Sequence, residues 1–519
     1  MRITNSMMIN NSLANISINK SQLSTLDTQV STQKKINRPS EDPIIAIRAL
    51  RLRSNLNEVT QYLDKNIPDA ESWMKVIRGA LEEGEKVVAD LYEYCNQGST
   101  DSYSSSERAT LADSLQKLKE TYYDQGNVDY AGRYVFTGYR TDSRLTFPSE
   151  EEADNFSYKI TQGLSAENFD TKYVYENPID ITDIEGYINS TAAIPDVDRQ
   201  EVYRMRLAYS NTSADTIPVI KYDKTDAAGN TTTVSVADTY SITVTHDENA
   251  MPADDEIFYN PDTGELIFGE EAYLNTRNQK NLNVTYEKTD FDKGDVKPEH
   301  YFTCVRTDRA EKALAEADGK TYTPITYNEE LAEDNYAMLD KQIEYMVNFS
   351  QKVRVNSSAS KCFNIYLGRD VDDLSNIVSN VQDIENAQAK IKEMQESPMY
   401  ANDEAAQERL AMLSDALSKQ FDLASDTMQE TFDAGITRMQ LYQKENTQQQ
   451  ADIGNRMQRL ELNQSRLKEQ QTNFKELKSQ NEDIELEDVM INYYSAELVY
   501  NSSISAASKV VRQSLLDFL

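Results

Sequence analysis

The fold of this chain is decided at its ends, and residues 484–519 read IELEDVMINYYSAELVYNSSISAASKVVRQSLLDFL. Apolar side chains recur there every three or four positions, which is the spacing of one apolar face of an amphipathic helix. The members of this stripe are Leu486, Met490, Tyr493, Ala496, Tyr500, Ile504, Ala507, Val511, Leu515 and Phe518. A helix with such a stripe needs another surface to cover it.

A matching stripe lies at the other end of the chain, in residues 1–35. It contains Ile9, Leu13, Ile16, Leu23, Leu26 and Val30. The two patterns predict that the terminal helices pair as a coiled coil and act in assembly rather than in catalysis. The predicted assembly interface consists of Ile9, Leu13, Ile16, Leu23, Val30, Leu486, Met490, Tyr493, Tyr500, Ile504, Val511, Leu515 and Phe518.

The predicted pair is weak if its two helices meet only each other. Burial of an apolar side chain contributes about 1.5–3 kcal/mol, whereas ordering each residue costs about 1–2 kcal/mol of backbone entropy. We therefore hypothesise that the termini are largely disordered in the monomer. They would become ordered when neighbouring subunits cover both sides of the pair.

A short segment with two prolines follows the first helical stripe, and its sequence from Lys35 to Pro43 is KINRPSEDP. Proline, Asn and Ser interrupt the helical pattern there. Ser40 or Asp42 can cap a new helix, and Pro43 suits the first turn. We predict a hinge between two helices, formed by Ile36, Asn37, Pro39, Asp42 and Pro43.

The remaining periodicities predict a mainly α protein with a β-rich insert, in which helical segments from both ends of the chain enclose the insert. Three parts are predicted: a terminal coiled-coil domain (1–38 and 484–519), a helical rod (39–140 and 365–483) and a variable β-rich outer region (141–364). Pro68 is expected to kink or split the first rod helix. Gly435 and Gly454 are expected to be weak points of the long helix at 403–480.

Composition excludes several classes of function. The net charge of −34 argues against a nucleic-acid partner, because phosphate binding needs clustered Lys and Arg. The longest apolar runs are too short for a membrane span, and the N-terminus has no pattern of a cleaved signal peptide. Three widely spaced cysteines, Cys95, Cys304 and Cys362, form no disulfide framework and no zinc motif.

No catalytic, cofactor or metal site is predicted. The chain has only two histidines, His246 and His300, and no phosphate-binding loop or nucleophile elbow. The acidic run 247–256 lacks the ligand spacing of a calcium-binding EF-hand loop. The glycines at the ends of the segment Gly132 to Gly138 favour a tight strand in which the backbone packs closely.

Four segments together resemble the flagellin superfamily. They are Lys35 to Pro43, Gly132 to Thr141, the late helix IGNRMQRLE at 453–461 and the ending SLLDFL at 514–519. The paired prolines of the first segment, and the ending, are more similar to the hook–filament junction branch than to flagellin. The resemblance covers about residues 1–142 and 365–519, and it does not extend to the insert.

This resemblance implies a structural protein of the bacterial flagellum that forms a junction layer at the base of the filament. The implied partners are flagellin, hook-associated protein 1, further copies of the chain, the flagellar export machinery and an export chaperone. The chain would lie outside the cell, exported without a cleaved signal peptide. Two alternatives remain open: a flagellin-type major filament subunit, and an enzyme with its activity in the insert.

Overall fold

The structure is a computed structural model that describes residues 5–99, 105–225, 231–328, 341–400 and 403–516. Its helices are α1 (Asn5–Thr32), α2 (Pro43–Gln61), α3 (Ile67–Gly98), α4 (Ser105–Asp124), α5 (Glu150–Asn155), α6 (Ile184–Asn189), α7 (Glu270–Thr276), α8 (Arg309–Ala317), α9 (Ala359–Cys362), α10 (Ile365–Glu396), α11 (Glu404–Glu482) and α12 (Leu486–Leu516). Long helices thus occupy both ends of the chain, and short ones occur in the middle.

The strands lie between α4 and α9. They are β1 (Asp129–Tyr130), β2 (Arg133–Tyr134), β3 (Phe156–Gly163), β4 (Phe169–Glu176), β5 (Asp198–Arg206), β6 (Val219–Thr225), β7 (Thr231–Ser235), β8 (Ser241–Val244), β9 (Glu256–Asn260), β10 (Glu265–Phe268), β11 (Lys280–Lys288), β12 (Thr303–Asp308), β13 (Ile325–Tyr327), β14 (Glu344–Asn348) and β15 (Gln351–Arg354). The predicted fold class, mainly α with a β-rich insert, is confirmed.

The strands form two larger sheets and two hairpins. One sheet has the order β4-β5-β10-β9-β8 and the other the order β13-β12-β3-β11-β6-β7, while β1-β2 and β14-β15 pair separately. The strand pairs of the two larger sheets and the β1-β2 pair are antiparallel, except β8 and β9, which run parallel. Short strands joined by turns account for the short alternating runs and the turn residues between them in the sequence.

The chain divides into two compact units. Unit 1 contains Met1–Ala70, Tyr345–Val353 and Gln458–Leu519, and unit 2 contains Glu71–Glu344 and Arg354–Met457. Unit 1 therefore includes α1, α2, α12 and the last part of α11. The predicted three-part domain division remains a prediction.

Within unit 1, the predicted break at Pro68 takes a milder form. A π-helical turn at Tyr62–Asn66 joins α2 to α3, and Pro68 is the second residue of α3. A proline ring clashes with the carbonyl four residues earlier, and the wider π turn makes room for it. The β14-β15 hairpin packs beside this turn. The Tyr62 and Phe349 rings are 5.8 Å apart, and Asn66 donates to the Met346 carbonyl at 2.8 Å.

The helical core of unit 2 is built from the stripes that the sequence displays. Buried side chains from four helices form it, and they include Trp73, Leu81, Leu91, Leu115, Val371, Leu374, Val378, Leu410, Leu413, Leu417 and Phe432. The helix α11 continues through both Gly435 and Gly454, so neither glycine ends it, and local weakness of the helix there remains a prediction. A side chain at Gly435 would meet Cys95 Sγ at 3.3 Å, which shows that this glycine permits close helix packing.

The prediction of a tight strand from Gly132 to Gly138 is wrong. Only Arg133–Tyr134 is a strand, paired with Asp129–Tyr130 across a tight turn. Gly132 has φ +77° and Gly138 has φ +64°. Both glycines thus supply left-handed backbone conformations that other residues adopt at a cost.

A cluster of arginines and carboxylates, which we call the ion cluster, joins the five-stranded sheet to α10 and α11 within unit 2. Its members are Asp170, Lys172, Arg204, Arg206, Glu265, Asp370, Asp373, Arg438 and Tyr442. Arg206 contacts Asp370 at 2.6 Å, and Arg438 contacts the same carboxylate at 2.8 Å. Side chains that are far apart in sequence therefore fix the sheet on the helices.

The ion cluster also shifts the acidity of its members. Burial would raise the pKa of Glu265, but Lys172 and Arg204 outweigh it and lower this pKa to about 2. Asp373 behaves alike, because Arg204 and the other arginines overcome its burial and hold its pKa below the ordinary value. These carboxylates are therefore ionised in the folded chain at neutral pH.

We expect unit 2 to lose stability as the pH falls, beginning with His300. Burial lowers the pKa of His300 from 6.5 to about 4, so the unfolded chain takes up a proton that the folded chain rejects. Between pH 6.5 and about pH 4 the free energy of unfolding therefore decreases as the pH falls, by up to about 3 kcal/mol. Below about pH 4.5, protonation of Glu265 in the unfolded chain lowers the free energy of unfolding further. This decrease continues until the pH reaches the pKa of Glu265 in the folded chain, about 2.

Urea unfolding followed by Trp73 fluorescence, at about pH 7 and about pH 5, measures this effect. Trp73 is the one tryptophan of the sequence and is buried in unit 2. The matched control is His300→Gln, which cannot titrate. An equal loss of stability in the control and the unchanged chain would contradict the assignment to His300.

Cys95, Cys304 and Cys362 are buried, and no disulfide is present among the described residues. Burial raises the pKa of the Cys95 thiol to about 12, which favours the unreactive protonated form. In the described part of the chain, no helix is both long and apolar enough to cross a membrane.

Candidate assembly site: the paired termini and the clamp at their base

The terminal helices α1 and α12 pair with each other within unit 1, as the two sequence stripes predict. Asn19 Nδ2 donates to Ser503 Oγ at 2.7 Å across the pair. Most of the predicted interface residues that are described lie half-buried in this pair: Ile9, Ile16, Leu23, Val30, Met490, Tyr493 and Tyr500. These side chains therefore cover one another inside one chain, and their role between subunits remains a prediction.

The other predicted interface residues are more exposed, or their side chains lie outside the part of the chain that the structure describes. Leu13 is 58% exposed, Leu486 49% and Ile504 42%. Val511 and Leu515 belong to α12, but their side chains are outside the described part, and Phe518 lies outside the described residues. None of the described side chains of α1 and α12 is fully buried. The pair accordingly lacks a core of its own.

A second apolar stripe on α12 was missed by the sequence reasoning. Ile491, Tyr494 and Leu498 are 64%, 60% and 69% exposed. They follow the helical spacing of three and four residues, so the periodicity that predicted the first stripe contains the second as well. Two neighbouring stripes on one helix indicate more apolar surface than α1 alone covers.

A set of polar contacts, which we call the clamp, closes the base of the pair where α11 ends. Glu482 Oε1 and Oε2 accept from Arg53 Nε and Nη2 at 2.7 and 2.6 Å, in a bidentate pair. Lys34 Nζ lies 3.7 Å from Glu482 and also donates to Asp483. The Glu482 side chain is only 4% exposed, which strengthens these contacts relative to a surface ion pair.

Backbone hydrogen bonds complete the clamp. The Lys35 N–H donates to the Glu482 carbonyl at 2.7 Å, and the Ile484 N–H donates to the Gln33 carbonyl at 3.2 Å. Gln33 adopts a left-handed φ of +56°, which ends α1 sharply. The segments before α2 and after α11 are thus tied together side by side.

The predicted hinge residues lie in the segment that the clamp holds. Asp42 caps α2, since its carboxylate accepts from the Ile44 and Ile45 amides at 2.9 and 3.1 Å, and Pro43 begins the helix. Ile36 is half-buried, whereas Asn37 and Pro39 are exposed. Whether this segment moves as a hinge remains a prediction.

Charge stabilises the clamp in its ionised form. The hydrogen bond from Arg53 lowers the pKa of Glu482, and the one from Lys34 lowers the pKa of Asp483. The bond to Glu482 in turn raises the pKa of Arg53. Sequence reasoning missed Glu482 because its partners lie more than 400 positions away.

We expect Glu482→Gln to loosen the segment between α1 and α2. Loss of the carboxylate charge weakens the bidentate pair with Arg53, and a charged hydrogen bond contributes roughly 1.5–3 kcal/mol. Since Arg53 is about half exposed, we expect about 1–2 kcal/mol, or roughly tenfold faster tryptic cleavage after Lys35. Glu485→Gln, an exposed neighbour with no ion pair among the described residues, is the matched control. Equal cleavage rates in the two variants would contradict this function of Glu482.

The described residues contain no group of three or more His, Cys, Asp or Glu side chains arranged to hold a metal ion. The site consists of two paired helices, α1 and α12, whose apolar stripes are incompletely covered, and of the polar, charged clamp beside them. Such a surface binds other protein surfaces.

Comparison with known proteins shows what the chain is similar to. Residues 3–141 match the family described as the bacterial flagellin N-terminal helical region, a range that spans α1 to α4 and the β1-β2 hairpin. The predicted resemblance to the flagellin superfamily is thereby confirmed.

The chain is also similar to proteins named flagellar hook-associated protein 3. It is 28% identical to that of Salmonella typhimurium over 150 residues, covering 28% of this chain and 45% of the relative. It is 27% identical to that of Escherichia coli over 163 residues, covering 30% and 48%. The matched segments thus span about half the length of these curated relatives. The resemblance to the hook–filament junction branch is confirmed.

A solved structure of flagellar hook-associated protein 3 from Legionella pneumophila is also similar. It has a TM-score of 0.28 and 11% identity, covering 82% of this chain and 96% of that one.

Proposed function

We propose that this chain is a structural component of the bacterial flagellum that forms the junction layer between hook-associated protein 1 and the flagellin filament. The observation that carries the proposal is its similarity to two proteins named flagellar hook-associated protein 3. The role is structural rather than catalytic, and it uses the terminal helices as the assembly device.

The geometry of the termini supports this role. The described side chains of α1 and α12 are at most half-buried, and large apolar groups remain exposed on both helices. Subunits packed on either side would cover this surface and order the pair. Because an addition of this kind needs a surface already in place, the layer would grow on the tip of the hook and then receive flagellin.

The proposed partners are hook-associated protein 1, flagellin and further copies of this chain. The chain would reach its extracellular position through the flagellar export machinery, with an export chaperone binding it beforehand. The buried cysteines are consistent with this route, since no described disulfide has to form outside the cell.

Deletion of the gene tests the proposal. We expect hooks without filaments, and unassembled flagellin in the medium, with attachment restored by the unchanged gene. The control is restoration by a gene that carries Glu485→Gln, an exposed position away from the clamp contacts. Filaments that remain attached to hooks in the deletion strain would contradict the proposal.

A flagellin-type major filament subunit is the second candidate, favoured by the match of residues 3–141 to the flagellin helical region. The amount of the protein in sheared filaments separates the two. A minor protein at the hook end supports the junction, whereas a dominant protein along the filament supports the alternative.

A further inference from the structure

The first two turns of α2 present an apolar face to solvent. Ile44, Ile47 and Leu50 are 65%, 54% and 64% exposed and are spaced three residues apart. Ala46 and Ala49, on the opposite side of the helix, are buried. The small residues thus pack inward while three large aliphatic side chains point outward, which is the reverse of an ordinary surface helix.

The same face carries positive charge. Arg48 and Arg51 are exposed. Around the helix, Arg51 lies between Ile44 and Ile47, and Arg48 lies next to Ile44 at the edge of the face. Within the described residues neither arginine has an ion pair, in contrast to Arg53 in the clamp. In a chain of net charge −34, an exposed basic and apolar face is suited to an acidic partner surface.

The second stripe of α12 has the complementary character. Ile491, Tyr494 and Leu498 provide three large, exposed apolar groups. Glu487 lies one turn before Ile491 on the same side of the helix, and the exposed Asp488 is next to it. Neither carboxylate has an ion pair within the described part of the chain. This stripe therefore combines apolar surface with negative charge.

We propose that the α2 face of one subunit docks on the second stripe of α12 of another copy of this chain. The aliphatic side chains of α2 would cover the stripe, and Arg48 and Arg51 would pair with Glu487 and Asp488. Both surfaces are exposed within one chain, so neither is covered by the other there. This inference rests on the proposed assembly role, and it assigns surfaces other than the stripes that pair α1 with α12.

Two different surfaces of the same chain meet in this contact, so a subunit can use them towards two different neighbours. A subunit that has used its α2 face then keeps its α12 stripe free for a third subunit. Repetition of this heterologous arrangement gives a closed ring or an open helical row, both of which can form a layer of a tube.

Cysteine cross-linking tests the contact in assembled flagella. Leu50→Cys and Leu498→Cys are introduced into separate chains, co-expressed in a strain that lacks the natural gene, and oxidised on purified hook–filament complexes. The natural cysteines are buried and should not react. We expect a cross-linked dimer only when both variants are present. Leu441→Cys, on α11 and 50% exposed, replaces Leu50→Cys as the matched control.

A charge exchange provides the second measurement. Arg48→Glu with Arg51→Glu should lower the cross-linking yield at least about tenfold, because like charges then face each other. Adding Glu487→Arg and Asp488→Arg to the partner chain should restore it.

The outcomes separate this inference from the proposed function. Attached filaments without the Leu50–Leu498 cross-link, or with the same yield for the Leu441 control, overturn the contact and leave the junction role intact. A cross-link that does not respond to either charge change also overturns it. The junction role itself fails only if the deletion strain keeps its filaments.

Discussion

Replacing Asp370 by Asn is expected to lower the free energy of unfolding of unit 2 by about 3–5 kcal/mol. Asp370 is 1% exposed and accepts from Arg206, Arg438 and Tyr442 at 2.6, 2.8 and 2.6 Å. Without its charge, the buried Arg206 and the half-buried Arg438 lose their shared counter-ion, while the desolvation cost of Arg206 remains. Urea unfolding followed by the fluorescence of Trp73 measures the change.

The matched control is Asp372→Asn, two residues away on the same helix. Asp372 is 23% exposed and pairs with Lys119 at 2.6 Å, so we expect a loss of no more than about 1 kcal/mol. Losses of equal size in the two variants would show that the ion cluster contributes no more than a surface pair.

The second large effect is expected in hydrogen exchange of the isolated chain. The backbone amides of α1 and α12 should exchange at least about a hundredfold faster than those of α11 between Leu410 and Leu417. Leu410 and Leu417, at the two ends of this range, are fully buried, whereas α1 and α12 have no fully buried side chain among those described. Mass spectrometry of peptides after timed exchange gives both rates from one sample.

Assembled flagella provide the comparison for this measurement. If neighbouring subunits order the terminal pair, protection of α1 and α12 should rise towards that of α11 after assembly. Strong protection of residues 6–30 and 490–509 in the isolated chain would refute the hypothesis that the pair forms only on assembly.

The helical part of the fold could be predicted from the sequence because its signal is periodic and local. Leu410, Leu413 and Leu417 are spaced as one face of a helix, and all three are buried. The pairing of α1 with α12 followed from two stripes that had no other partner nearby in sequence. The packing role of Gly435 could not be predicted locally, because a glycine lowers the stability of an isolated helix but permits close packing in a bundle.

The ion cluster and the clamp could not be predicted, because their members come together only through tertiary structure. Arg206 and Asp370 are 164 positions apart, and Arg53 and Glu482 are 429 apart. An isolated arginine or carboxylate in a chain with 27% charged residues is not distinctive. The second stripe of α12 differs, since its spacing is visible in the sequence, but its exposure depends on which face α1 covers.

The distances along the chain between paired elements have a consequence for the rate of folding. Asn19 and Ser503, which bond across the terminal pair, are 484 positions apart, and Gln450 reaches the Leu81 carbonyl over 369 positions. Contacts of such long range slow folding, because a large loop must close before they form. The helix α1 therefore meets α12, with which it pairs, only after α12 has been synthesised, and the long sequence between the two helices must close into a loop before the pair can form.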